Sequence, residues 1–435
     1  MMRAIFPIVL ALLACLPTAF AESFVLSDAT VHTVSGKTLS PGQVLVKDGK
    51  ITAVSSKVSA RDATVVDLTG LHLYPGLILP TSSLGLTEIN SVRATQDTTE
   101  VGSYTPDVQA WIAVNPDSEL LPVARANGIT HFLAVPLGGV VSGQSGLMAM
   151  SGWSTEDMTV KKPVALHVFW PRMSLDTTPR ELARERSKWK APDAQAKDRE
   201  KRLKTLDDFF KEAAAYAKAR GVSGKKGAGE TSLNPPWEAM LPFLRGELPL
   251  IVHAQDARQI KAAINWADAN KYKIIIAGGL DAWMVAELLA KKKIPVIFES
   301  IYEQPEDHQS YDIHYRAPAV LQRAGVKVLF SEGAGSGGAT RARNLPFTAA
   351  QAVAFGLPAD EALKGITLYP AEALGVAEKL GSIETGKEAS LFAADGDILD
   401  IRTNVKRMWI GGKEVSLDSR HTRLYEKYKS RPKAQ

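Results

Sequence analysis

A chain of 435 residues exceeds what one hydrophobic core usually serves, so two domains, or one large and one small, are expected. Its 45% hydrophobic and 23% charged content are those of an ordinary soluble globular protein, and no stretch beyond the N-terminus approaches the roughly 18 to 20 unbroken apolar residues of a membrane span. The net charge is +5, and Cys15 is the single cysteine, so a chain cut after residue 21 would have no disulfide, thiolate ligand or cysteine nucleophile.

Residues 1–21 carry Arg3, an apolar run from Ala4 to Leu13 and Ala19-Phe20-Ala21, the three regions of a secretory signal peptide in order. The expected destination is the periplasm or the exterior. Leu12-Leu13-Ala14-Cys15 loosely resembles a lipobox, so lipoprotein anchoring through Cys15 is a second reading. From Glu22 to Tyr74, short β pieces alternate with turn signals, among them Ser23-Phe-Val-Leu, Gln43-Val-Leu-Val and Lys50-Ile-Thr-Ala-Val. Asp48-Gly49 marks a tight hairpin, because glycine takes the positive φ that the turn demands.

Between Gly76 and Val376, apolar β-like runs alternate with helical stretches, which argues for parallel βα units. The candidate strands are the run from Gly76, then Ile129–Val135, Val164–Phe169, Leu250–Ala254, Lys273–Ala277, Pro295–Glu299 and Val326–Ser331. They make seven of the eight that a TIM-type barrel needs, with the eighth expected before the second run or inside the long insert. That insert, about residues 176–230, is basic: Arg180 to Lys226 holds fifteen Lys or Arg against eight Asp or Glu. Leu203, Leu206, Phe210, Ala213 and Ala217 step by three and four along one helical face, so an outer helix with a solvated basic side is expected rather than a nucleic-acid site. Gly221 to Gly229 reads as a mobile loop.

Several motifs carry a resemblance. Pro75-Gly-Leu-Ile78 before Leu79-Pro-Thr-Ser-Ser83, Val252-His253-Ala254, and Gly381-Ser-Ile-Glu-Thr-Gly386 with Val405–Val415 together resemble the amidohydrolase superfamily. Gly138-Gly-Val-Val-Ser-Gly-Gln-Ser-Gly146 is close to a loop of its imidazolonepropionase-like branch. The resemblance implies a (β/α)8 barrel over 76–375 and a small β-sandwich built from both chain ends, 22–75 and 376–420, followed by a basic tail, 421–435.

The family holds its catalytic metals with two histidines after strand one, one each after strands five and six, and an acid after strand eight. The positions of this chain that match those slots are Thr81 and Ser83, His253, Gly278 and Glu332. Hydroxyl and glycine side chains do not supply the roughly three protein ligands of a catalytic zinc, so no cofactor is the expected state and a single zinc held by His253 and Glu332 is the alternative. Without metal, Glu332 would orient the His253 imidazole and raise its basicity. A plain core histidine is the competing reading of His253, and strand-end capping that of Thr81 and Ser83. Ser142 and Gln144 in the glycine-rich stretch, and His314 in a polar loop after strand seven, complete the candidate substrate contacts.

The function implied is hydrolysis of a carbon–nitrogen bond in a small cyclic amide or dipeptide-like molecule by an exported protein. The rival is a catalytically inactive subunit of the same fold that binds a ligand, forms homo-oligomers or pairs with a related amidohydrolase.

Overall fold

The computed structural model of the chain describes residues 23–59, 61–222, 232–299, 301–335 and 337–432, so the expected signal peptide, residues 1–21, and most of the Gly221–Gly229 stretch lie outside the described residues. Five strands open the chain: β1 (Ser23–Val31), β2 (Leu39–Lys47), β3 (Lys50–Ser55), β4 (Thr64–Asp67) and β5 (His72–Pro75). Eight build the barrel: β6 (Leu77–Ser82), β7 (Ile129–Ala134), β8 (Val141–Ala149), β9 (Thr159–Phe169), β10 (Leu250–Ala254), β11 (Ile274–Gly278), β12 (Val296–Phe298) and β13 (Val328–Phe330). Three close the chain: β14 (Leu391–Ala394), β15 (Val405–Ile410) and β16 (Lys413–Glu414).

The two chain ends share one sheet in the order β16-β15-β14-β5-β1-β2-β3, with β4 against β1. Their meeting line is the antiparallel pair β5–β14, where Tyr74 faces Phe392. Asp48 and Gly49 take φ of 50° and 75° in the turn between β2 and β3, as the dipeptide demands. Gly49 is also where the two ends touch: its carbonyl accepts from Ala389 N at 2.8 Å, and a Cβ there would lie 2.6 Å from Gly411 O.

The barrel is eight-stranded and nearly closed, in the order β6 to β13. Its lumen is packed by Ile78, Leu133, Leu147, Ile251, Ile275, Ile297 and Leu329, all nearly or wholly excluded from solvent. Helices cover the outside, and Ile260, Ala263 and Ile264 of the helix Ala257–Asn270 pack into the larger core around it.

The eighth strand corrects an expectation. It lies neither before the second run nor in the insert, but directly after β7, in the stretch read as a glycine-rich loop. It runs antiparallel to both neighbours, β7 and β9, while the remaining pairs are parallel. All nine of its residues are buried, so it lacks the alternation of polar and apolar residues that marks a half-exposed strand. Its glycines serve packing: Gly143 takes φ of 119°, and a Cβ there would sit 2.7 Å from Val108 O in the covering segment.

Within the basic insert, the described residues form the 31-residue helix Pro192–Val222. Leu206, Phe210 and Ala213 are buried, Leu203 and Ala217 partly so, and the Phe210 ring meets Trp266 edge-on at 4.8 Å. Lys204 and Lys211 on the outer side pair with Asp208 and Asp207 four residues away, an arrangement worth only about 0.3–0.5 kcal/mol per exposed pair. The face is a solvated one. Among the described residues no helix is long and apolar enough to cross a membrane.

The first and last barrel strands are not joined by a ladder of backbone bonds. Ile78 N on β6 instead donates to Ile366 O at 2.9 Å, from the segment after the helix Ala359–Gly365. Higher up, side chains span the gap: Ser331 Oγ donates to Thr81 O at 2.8 Å and lies 2.8 Å from Thr81 Oγ1.

Candidate active site

Catalytic groups of a parallel barrel follow the C-terminal ends of its strands, since only there do side chains on successive strands face one open mouth. Glu299 follows β12, Ser331 and Glu332 follow β13, and Thr81 lies at the end of β6. The Thr81 hydroxyl is hydrogen-bonded to Glu299 Oε1 as well as to Ser331. Gly333 N donates to Ser331 Oγ at 3.1 Å, which folds the segment back so that the Gly333 backbone lies beneath the Glu299 carboxyl.

Burial pushes the Glu299 carboxyl up to about 7, against the Thr81 hydrogen bond and with help from the nearby Glu332 charge. Glu332 is raised in the same direction by burial, while the Thr348 hydroxyl that donates to its Oε1 and the Arg341 guanidinium 3.5 Å from its Oε2 favour its charged form. Two carboxyl groups in one mouth thus have different surroundings: the Thr81 hydroxyl alone meets Glu299, while a hydroxyl and a cation face Glu332. Arg341 ends the short helix Gly338–Arg341, and Gly338 is small because a Cβ there would meet Gly333 O at 2.2 Å.

His253 stands elsewhere in the lumen. Its Nε2 lies 2.9 Å from Nδ1 of His167 on β9, and its ring stacks on Phe169 with centroids 4.0 Å apart. No hydrogen bond or ion pair joins it to Glu332 among the described residues, so the expected His253–Glu332 pair is not formed. Nor is the imidazole made more basic: burial lowers its pKa to about 3, and it drives His167, with His253 beside it, well below the ordinary value. Both rings are neutral near pH 7, which is what two imidazoles sharing one hydrogen bond in an apolar lumen require.

This has a measurable consequence. Below the unfolded value of about 6.5, the unfolded chain binds protons at His253 that the folded chain refuses. Stability should therefore fall as pH drops from about 6.5 towards 3, and His253→Phe should flatten that slope in urea titrations across the range. An unchanged slope would remove the buried neutral imidazole from the account.

The other candidates have mixed placements. Thr81 and Ser83 are buried at the mouth, and between them Ser82 Oγ accepts from Leu84 N at 3.0 Å, the capping role weighed for these hydroxyls. Ser142 donates to the Gly138 carbonyl. Gln144 Nε2 donates to Pro106 O and Ala239 O, each at 3.0 Å, tying the covering segment to the helix Pro235–Leu244. Gln144→Ala removes both of these bonds and should cost about 1–3 kcal/mol in denaturant unfolding; a smaller loss would mean that water replaces the amide. His314 is not in a loop but buried in the first turn of the helix Ile313–Arg323, its pKa lowered by burial despite the Asp281 and Glu303 carboxylates nearby.

Glu299, His167, Ser331 and Thr348 were not singled out from sequence. The signal for Glu299 was present, since it is the one acid directly ending the apolar run Pro295-Val-Ile-Phe.

Fold and site together describe an eight-stranded barrel with an acid after its last strand. Residues 243–415 match the model of the Amidohydrolase family. The amidohydrolase tasK of Hapsidospora irregularis is 23% identical over 409 residues, covering 85% of this chain and 39% of the relative, so the chain spans about two fifths of that protein's length. The solved structure of an amidohydrolase from Thermotoga maritima MSB8 superposes with a TM-score of 0.78 at 27% identity, over 90% of this chain and 99% of the other. A prolidase complexed with N-methylphosphonate-L-proline gives 0.54 at 16% over 90% and 99%, a likeness of fold. Residues 243–415 are thus an Amidohydrolase family domain, and the fold around them is the one seen in amidohydrolase structures.

The metal cage expected of that family does not fit the residues present. Thr81 and Ser83 offer hydroxyls, the Thr81 hydroxyl being engaged by Glu299 and Ser331, and His253 Nε2 is turned to His167. Gly278 has no side chain, and the space one would take holds the amide of Gln255, 2.4 Å from the position of a Cβ. Among the described residues no three His, Cys, Asp or Glu gather as metal ligands.

Proposed function

We propose that the chain hydrolyses a carbon–nitrogen bond of a small cyclic amide or dipeptide-like molecule bound in the barrel mouth, using its own side chains. The observation that carries the reading is Glu332: a carboxyl after the last strand, where the family has its acid, gripped by Thr348 and faced by Arg341. A carboxylate so held can take a proton from water while its surroundings stay in position. The cyclic-amide class follows the resemblance of Gly138–Gly146 to the imidazolonepropionase-like branch, and export follows the composition of residues 1–21.

The test is a screen of the purified chain against five- and six-membered cyclic amides and dipeptides, with and without chelator, following release of free amine. Turnover that survives the chelator supports the reading, and turnover only after added zinc would overturn the part that uses no metal. The second reading, a binding subunit that has lost the reaction, draws on the hydroxyls and glycine that stand at the ligand slots. It predicts no turnover under any of these conditions, together with saturable binding of one of the same compounds. Fractionation of cells making the full chain tests export.

A further inference from the structure

The end of the barrel opposite the mouth has a cavity of its own. It measures about 370 Å³, inside the roughly 300–1,000 Å³ range of small-molecule sites. It lies where the helix Leu368–Ala373 meets the two segments that lead into β12 and β13. Ile294, Pro295 and Val326 give it apolar walls beside the ring of Tyr369. Gly325 leaves one side open, since a Cβ added there would meet nothing within 4 Å.

Three charged side chains line the cavity, Lys293, Lys327 and Glu372. Lys327 Nζ lies 2.5 Å from Glu372 Oε2 and 5.3 Å from the centre of the Tyr369 ring, so one cation and one anion offset each other at that wall. The Tyr369 hydroxyl donates to Glu361 Oε2 at 2.7 Å, outside the lining, which leaves the cavity the ring rather than the polar end of this residue. Lys293 makes no hydrogen bond or ion pair among the described residues. Its ammonium has three hydrogens to give and nothing to accept with, so the group it suits is an anion. The apolar walls suit a hydrocarbon or aromatic body attached to that anion.

We propose that this cavity is a second binding site, for a small carboxylate with an apolar or aromatic body, the carboxylate held by Lys293 and the body laid against Tyr369, Pro295 and Val326. Its position gives it a lever on the barrel. The helix Leu368–Ala373 packs on β6 and on β13, the two strands that share no ladder, and Ala371 of this helix is buried in the cluster that fills the lumen. A ligand wedged between the helix and the starts of β12 and β13 fastens that plug from below, so occupancy stabilises the closed ring. Both strands are three residues long, Val296–Phe298 and Val328–Phe330, and their far ends lead straight to Glu299 and Ser331. The site and the mouth are the two ends of one short strand pair.

Calorimetric titration of the full chain with benzoate tests the site. Binding should be saturable and about tenfold or more tighter than that of acetate, which lacks the body, or of benzamide, which lacks the charge. Lys293→Ala should weaken benzoate about tenfold or more. Benzoate should also raise the thermal midpoint of the parent and leave that of Lys293→Ala in place. No saturable binding, benzamide bound as tightly as benzoate, or full affinity in Lys293→Ala overturns the proposal. Arg341→Ala, at the mouth, should bind benzoate as the parent does; loss of binding there puts the anion at the other end of the barrel and overturns it as well. Should Lys293→Ala fail to fold, Ala373→Leu fills the cavity without touching a charge: benzoate binding should be lost, and its retention overturns the site. None of these readings needs turnover, so the outcome is independent of the hydrolytic reading above.

Discussion

Glu332→Gln should lower kcat/KM on any amide the protein cleaves by about 10²–10⁴-fold, with the ester of the same acid slowed alongside it. The glutamine side chain can still accept from Thr348, so the fold around it should persist and the thermal midpoint move little. Steady-state rates on the amide and ester pair decide it: full activity in Glu332→Gln would end the role of this carboxyl as the base and with it the reading of the mouth as hydrolytic. Over-activity at low pH is excluded by the same argument, because Glu332 must be ionised to work.

The largest expected loss of stability comes from Ile297→Ala. Ile297 is wholly buried in the lumen on β12, two residues before Glu299 and on the same face of its strand. Truncation removes buried methyl and methylene groups from a packed layer bounded by Ile251, Ile275 and Leu329, which cannot collapse without moving strands. A cost of about 2–5 kcal/mol is expected, a large share of the 5–15 kcal/mol that typically separates folded from unfolded domains. Denaturant titration measures it, and a cost below 1 kcal/mol would show that the lumen is not packed as described.

The frame was legible because its strands are apolar runs bounded by turns, and because Asp48-Gly49 has one good backbone solution. Strand β8 escaped because it is buried on both faces and rich in glycine: burial removes the alternation, and glycine suggests a loop. The same limit governs the site. That His253 and Glu332 end barrel strands could be read from order alone. Their partners could not, since His253 meets His167 through the stagger between β9 and β10, and Glu332 meets Thr348 on the helix Leu345–Ala354. Spacing along the chain says nothing about which lumen layer a side chain reaches. Glu299 was visible as the last letter of an apolar run, but the hydroxyl it meets, that of Thr81, lies 218 positions away.

The gap between β6 and β13 gives the protein a weak side. Where other neighbours are zipped along their length, these two are fastened near the top by the Thr81 and Ser331 hydroxyls, the first of which also meets the Glu299 carboxyl. Any breathing of the cylinder at that line would slacken the grip on the acid first. Warming should therefore weaken any hydrolysis in the mouth some degrees before the cylinder comes apart.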